Sequence, residues 1–180
     1  MNQKCRRCDH DIESLSHILG TCPFTKGIRI RRHDLVVDLV EKAASGKGAR
    51  ILREQTFNLE GTNLVPDLVV LKENKGWVVD PAVVSEDRIG VTRRIKVEKY
   101  SPLIAQLSAM YPGREWSVHG LPISYRGILP PCTIRALQDM GIYSGKLGRD
   151  IVMSVVKGSV RVTSCFDDGY STSFERRGVG

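Results

Sequence analysis

Leu64-Val-Pro-Asp-Leu-Val-Val-Leu-Lys72 and Gly76-Trp-Val-Val-Asp-Pro-Ala-Val-Val-Ser85 decide how this chain is read. Each run is rich in Val, Leu or Trp and has the look of a strand buried on a pleated sheet. The turn-like Glu73-Asn74-Lys75 lies between them, so the two runs form one hairpin. With an even loop, Lys72 pairs with Lys75, or Leu71 with Gly76, and counting back sets Asp67 opposite Asp80. Directly opposed side chains on an antiparallel pair lie roughly 4.5–5.5 Å apart at Cβ. Two carboxylates that close repel, and a divalent cation held by oxygen ligands is the usual compensation. Such a cation can activate water against a phosphodiester. An odd loop, with Gly76 as a bulge, slips the register by one residue and turns the acids to opposite faces. They would then be two strand-end aspartates facing solvent.

Working outward, 180 residues with 41% hydrophobic content suit one compact domain with a small appendage. Lys and Arg total 27 against 20 acidic residues, a net charge of +7, which favours a polyanionic partner, most often nucleic acid. No apolar run reaches the length of a membrane span, and no charged-then-apolar signal segment opens the chain. Three of the five cysteines fall in the first 22 residues, a pattern of a metal site in a reducing compartment rather than of a secreted disulfide framework.

Those cysteines and one histidine, Cys5, Cys8, His17 and Cys22, form C-x2-C-x8-H-x4-C. Zinc takes four such ligands in a tetrahedron, and a closed protein site is usually structural. A segment this short cannot fold on Ile12, Leu15 and Ile18 alone, so metal binding supplies the folding energy. His10 is a rival ligand placed too close to Cys8 to chelate beside it. Cys132 and Cys165 are left as small buried apolar residues. Arg6 and Arg7 lie between the first two ligands, and Lys26, Arg29, Arg31 and Arg32 follow the last. A knuckle ringed by guanidinium groups suits phosphates or single-stranded bases. A clip that docks on the next domain is the other reading of the same residues.

The pattern predicts a knuckle over 1–27, a main domain over 28–166 and a poorly ordered tail over 167–180. Within the main domain it predicts helices over 33–44, 86–100, 133–140 and 148–163. It predicts strands over 49–59, 64–72, 76–85 and 115–126. Ile89, Ile95 and Val97, with Tyr100 near the end, are expected to form the apolar side of the second helix, and Pro102 to interrupt it before the pattern resumes to Met110. This order makes an α/β fold with a mixed sheet flanked by helices. The helix after the hairpin also carries Lys96-Val-Glu-Lys-Tyr100, whose two lysines share one face. Either could steady charge developing at a phosphate beside the acid pair, or simply form a solvated basic face.

Cys5-x2-Cys8, His17-x4-Cys22, Ile28-Arg-Ile-Arg-Arg-His33, Pro66-Asp67, Asp80 and Lys96-Val-Glu-Lys-Tyr100 occur in that order. Over roughly residues 5–125 this resembles the carboxy-terminal end of site-specific non-LTR retrotransposon proteins. In that family a CCHC zinc knuckle precedes a restriction-like endonuclease of the PD-(D/E)XK superfamily. The resemblance implies a restriction-endonuclease-like fold in which Asp67 and Asp80 bind magnesium, Lys96 or Lys99 assists, and Tyr100 sits near the catalytic helix. It further implies a nick in double-stranded target DNA whose 3′ hydroxyl primes reverse transcription. Element RNA, the reverse transcriptase portion of a parent polypeptide and a nuclear location belong to the same expectation. Nothing here resembles a reverse transcriptase, so the chain reads as a piece of a larger polypeptide. Two departures stand out: the superfamily's strand lysine is replaced by Ala82, and Pro81 follows Asp80. Both favour the alternative, a non-catalytic zinc-containing module that binds nucleic acid or docks on a partner. Glu41 and Glu86 are further candidate metal ligands.

Overall fold

The computed structural model describes residues 3–169. After a short helix α1 (Leu15–Gly20) and a 3-10 turn at Pro23–Thr25 comes the long helix α2 (Lys26–Ser45). Strands β1 (Arg50–Arg53), β2 (Phe57–Leu59), β3 (Thr62–Leu64), β4 (Leu68–Lys72) and β5 (Lys75–Val84) follow. Helices α3 (Ile89–Tyr100) and α4 (Leu103–Met110) lead to β6 (Glu115–Ser124), then α5 (Pro131–Asp139) and α6 (Gly145–Asp168).

The main sheet has the order β1-β4-β5-β6, antiparallel at the first two junctions and parallel at the last. It is a mixed sheet flanked by helices, as expected. The centre strand shows how the sequence sorts into layers. Leu68, Val69, Val70 and Leu71 are all buried, and they alternate between two clusters. Leu68 and Val70 meet Trp77, Val79, Val36, Val37 and Val40 beneath α2, α5 and α6. Val69 and Leu71 meet Val78, Tyr100, Leu103 and Leu107 beneath α3 and α4. A strand buried on both faces needs this continuous apolar run, because every second side chain enters a different core.

Several boundaries depart from expectation, each for a local reason. The stretch 49–59 is two strands in two sheets: β1 joins the main sheet, while β2 pairs with β3 in a separate hairpin. The break falls at Glu54, whose φ of +46° turns the chain out of extended geometry. The expected strand 64–72 is likewise split, since Pro66 has no N–H to offer a ladder. Helix α3 presents less apolar surface than its pattern implied: Ile95 is 49% exposed, and Tyr100 is the buried residue of that helix. It packs through its backbone instead, on the bare surface of Gly120 in β6.

The last helix is longer than expected, capped at its start by Ser144, whose hydroxyl accepts from the Leu147 N–H. Gly158 inside it costs helix propensity but makes room, because a Cβ there would lie 2.6 Å from the Arg32 Cγ of α2. The helix runs through Asp168, so the first two residues of the expected tail are helical; residues 170–180 lie outside the described residues. The expected division at 27 and 28 falls within the first turn of α2.

Candidate active site and metal centre

The hairpin register settles where the two aspartates stand. Lys72 pairs with Lys75 and Leu68 with Val79, so one step further Asp67 faces Asp80. Alternation along β5 says which kind of pair this is. Val84 gives its carbonyl to the Tyr125 N–H on the β6 side, which puts Asp80 and Ala82 on that side too and Pro81 on the other. Asp67 and Asp80 are therefore a non-hydrogen-bonded pair, the kind whose side chains come closest. The next pair, which should exchange two ladder bonds, would be Pro66 and Pro81, and neither has an N–H. The sheet's hydrogen bonding between these strands stops at the acids. The Pro81 ring costs nothing on its β6 side, and β5 continues alone beside β6 to Val84.

The row extends in both directions. On one side Glu54 follows the β1 register and donates its N–H to the Asp67 carbonyl at 3.0 Å. On the other, Asp80 pairs with Gly120. A Cβ at Gly120 would stand 2.9 Å from the Lys96 Cβ and 3.1 Å from the Arg93 carbonyl oxygen. The missing side chain lets α3 settle onto the sheet and brings the Lys96 Nζ to 2.6 Å from the Asp80 Oδ1. The contact is an ion pair rather than an aligned hydrogen bond, so this buried oxygen keeps a lone pair without a well-directed donor. Burial, then the charge of Asp67, raises the Asp80 carboxyl pKa, and Lys96 opposes them.

A cleft of about 380 Å3 opens here, lined by His33, Glu54, Val65, Asp67, Asp80, Lys96, Lys99 and Tyr100. Of the expected site residues, Asp67, Asp80, Lys96, Lys99 and Tyr100 thus come together. Tyr100 is buried, and its hydroxyl donates to the Val65 carbonyl at 3.0 Å. Lys99 sits beside it, Nζ 3.0 Å from that hydroxyl. Glu41 and Glu86 are elsewhere: Glu41 pairs with Arg53 at 2.7 Å, and Glu86 accepts from Ser124.

Two polar lining residues, Glu54 and His33, are given no role in the site by the sequence. Glu54 lay inside what looked like a continuous strand. His33 sits on α2, on the opposite face of the sheet from α3, and no spacing rule links it to the hairpin. It reaches round the strand ends, Nε2 3.1 Å from both the Asp67 Oδ2 and the Pro81 carbonyl, with Nδ1 3.2 Å from the Asp34 Oδ1. Burial alone would lower its pKa, but the Asp67 and Asp34 carboxylates outweigh that and raise it to about 9. A second cleft of about 410 Å3 adjoins across His33 and Lys96 and is lined also by Lys26, Arg29 and Arg32.

The ligand atoms of Cys5, Cys8, His17 and Cys22 all lie within 4.8 Å of one another, so the cluster could bind zinc. The Cys8 and Cys22 sulfurs are 3.9 Å apart, close to the edge of about 3.8 Å that Zn–S bonds of about 2.3 Å give a tetrahedron. His17 offers Nε2, 3.2 Å from the Cys8 Sγ, while Nδ1 is held by the Thr21 hydroxyl at 3.2 Å, the outer-shell contact that orients a ligating imidazole. His10 stacks on the His17 ring at 4.1 Å rather than joining the set. Burial pushes the Cys22 thiol up to about 11, so metal binding at neutral pH must expel its proton.

Of the arginines around this cluster Arg32 is buried, Arg7 and Arg29 are half-buried, and Arg6 and Arg31 are exposed. Arg32 is corrected as a nucleic-acid contact: it is 3% exposed and donates to the Ser159 hydroxyl and the Leu19 carbonyl, bracing α2 against α6 and the knuckle. Arg29 donates to the carbonyls of Gly20 and Cys22. Arg7 donates to the carbonyls of Phe166 and Asp167, and Arg6 pairs with Asp167 and Glu13.

No protein-family model matches the chain. It is 32% identical over 160 residues to a "Retrovirus-related Pol polyprotein from type-1 retrotransposable element R2" of Bradysia coprophila, covering 86% of this chain and 18% of that protein. A protein of the same description from Popillia japonica is 35% identical over 69% of this chain and 27% of its own length. The type-2 retrotransposable element R2DM polyprotein of Drosophila melanogaster is 25% identical over 98% of this chain and 17% of its own length. Among solved structures, the small subunit of the heterodimeric restriction endonuclease R.BspD6I aligns with 74% of this chain and 97% of its own, at 9% identity and a TM-score of 0.26, too loose a superposition to bear on the fold. The chain spans only 17% to 27% of the length of these three polyproteins, and its relatives are thus R2 retrotransposon Pol polyproteins, to a segment of which it is similar.

Proposed function

We propose that this chain is a magnesium-dependent DNA endonuclease domain. It nicks double-stranded target DNA and exposes a 3′ hydroxyl for target-primed reverse transcription. The observation that carries the reading is the opposed Asp67 and Asp80, with the Lys96 ammonium 2.6 Å from Asp80, in one open cleft. The similarity to R2 polyproteins supports it, and so does the order of helix, three antiparallel strands, helix and parallel strand around the site.

The acids suit magnesium. They are hard oxygen donors, few enough to leave water on the ion, and the Asp80 Oδ1 is buried without an aligned donor. Magnesium held there would supply Lewis-acid activation of water and of a phosphate oxygen. Lys96 takes the place of the strand lysine that Ala82 lacks. Anchored by Asp80, its ammonium faces the cleft where charge builds on the phosphate. Tyr100 and Lys99 wall the same cleft. The adjoining basic cleft at Lys26 and Arg29 offers the neighbouring phosphates of the strand a path towards the knuckle.

Zinc at Cys5, Cys8, His17 and Cys22 is structural in this reading. The reverse transcriptase portion of a parent polyprotein, element RNA and a nuclear setting complete it. Incubating supercoiled plasmid with the protein and magnesium tests the proposal. Nicking is expected from the parent and not from Asp67→Ala or Asp80→Ala, with DNA binding retained by both. Nicking by the variants, or loss of binding together with activity, refutes the catalytic assignment.

A further inference from the structure

We infer that His33 is a positioning residue: it replaces the missing ladder bonds at the end of the β4–β5 hairpin and so holds Asp67 and Asp80 in register. The inference deepens the endonuclease reading and rests on it for its catalytic consequence.

The need for a clamp follows from the pairing. Beyond Leu68 and Val79 the two strands exchange no further backbone bond, because the next bonding pair is Pro66 and Pro81. Strand ends without ladder bonds fray. Here the residues at the fray are two carboxylates, which push each other apart. The Pro81 carbonyl points into the gap where β4 would have continued, and a buried carbonyl left without a donor is costly. The His33 Nε2 stands 3.1 Å from that carbonyl and 3.1 Å from the Asp67 Oδ2, so a single N–H ties the backbone of one acid-bearing strand to the side chain of the other. The Nδ1, 3.2 Å from Asp34 on the same helix, keeps the ring from turning. Helix α2 is a rigid base for this, since Val36, Val37 and Val40 are buried beneath the sheet. Tyr100 performs the matching task from the other face, donating to Val65 one residue before Pro66. Of the two, His33 is the one that grips Asp67 itself, through Oδ2.

The test compares His33→Ala, His33→Gln and Asp67→Ala with the parent chain. Glutamine can place an amide N–H near the Nε2 position without an imidazole. Three measurements are made: hydrogen exchange over residues 64–68 and 79–83, binding of manganese followed by the electron paramagnetic resonance of the free ion, and nicking across a magnesium series. His33→Ala is expected to speed exchange in those two segments only. It should weaken manganese binding or nicking about 10- to 100-fold, the usual loss when an outer-shell partner of a metal ligand is removed. His33→Gln should recover most of both. Unchanged exchange in His33→Ala overturns the inference, as does His33→Gln behaving like His33→Ala. Faster exchange with manganese binding and nicking untouched overturns its catalytic half. If Asp67→Ala still nicks, the endonuclease reading fails instead, and the exchange data judge the clamp by themselves.

Discussion

Gly120→Ala adds one methyl group at the point where α3 comes down on the sheet, and the structure sets its cost. The new Cβ would stand 2.9 Å from the Lys96 Cβ and 3.1 Å from the Arg93 carbonyl oxygen. Carbon atoms pack at about 3.5–4.0 Å, so α3 must retreat by roughly 0.6–1 Å. Neither neighbour is the free end of a flexible side chain, and overpacking of this kind costs about 1–3 kcal/mol. For a chain of this size each kcal/mol moves Tm by about 2–4 °C, so Tm should fall by about 2–12 °C. The same retreat lifts Lys96 from Asp80, now 2.6 Å away. A misplacement near 1 Å can cost on the order of 100-fold in rate, so nicking should fall further than stability suggests. Gly90→Ala, near the start of α3, is the control: nothing lies within 4 Å of its Cβ. It should raise stability by up to about 1 kcal/mol, because alanine loses less backbone freedom than glycine on folding. Differential scanning calorimetry and plasmid nicking read both variants. Gly120→Ala melting with the parent, or both substitutions moving Tm the same way, refutes the packing account of the Lys96–Asp80 contact.

Asp80→Asn should abolish nicking while holding or raising Tm, since burial and Asp67 disfavour the charged form that asparagine removes; a clear drop in Tm contradicts this. Stripping zinc with a tight chelator should loosen residues 5–22 and, with them, the last turn of α6, because Phe166 packs in one cluster with Cys5 and Cys22. Protection of both segments that ignores the chelator would remove the metal from the account; loosening of 5–22 alone would remove the clasp. At low pH, Asp139 should act as a stabilising carboxylate. Burial alone would raise its pKa, but hydrogen bonds from His119 and Trp77 outweigh that and hold it below its ordinary 3.8. A depressed folded value means the contribution is present above that ordinary value and is lost as pH falls through the folded one. Trp77 fluorescence, reporting its 2.8 Å bond to Asp139, should change in that acid range in the parent and not in Asp139→Asn.

Much of the site was legible because it is built from local rules. Strand alternation and a two-residue turn place Asp67 opposite Asp80 by counting alone, and the metal-ligand spacing of Cys5, Cys8, His17 and Cys22 needs only a turn and a short helix. Helical periodicity likewise puts Lys96 and Lys99 on one face. What it could not show is that Lys96 is the one that touches Asp80, because that depends on Gly120 in a strand 24 residues further on, paired in parallel across a crossover. Pro66 and Pro81 were both visible, yet their meaning as a pair appears only once the register makes them neighbours.

By itself, then, the order of residues determined the hairpin, the acid pair, the cysteine–histidine cluster and the α/β class, since each depends on a period or spacing within a few tens of residues. Tertiary structure alone decided that Glu54 and His33 join the cleft and that Lys96 meets Asp80. It also turned Arg32 inward to brace α6. Those outcomes depend on which helix lies over which strand end, and that is set by two apolar cores assembled from segments distant in the chain.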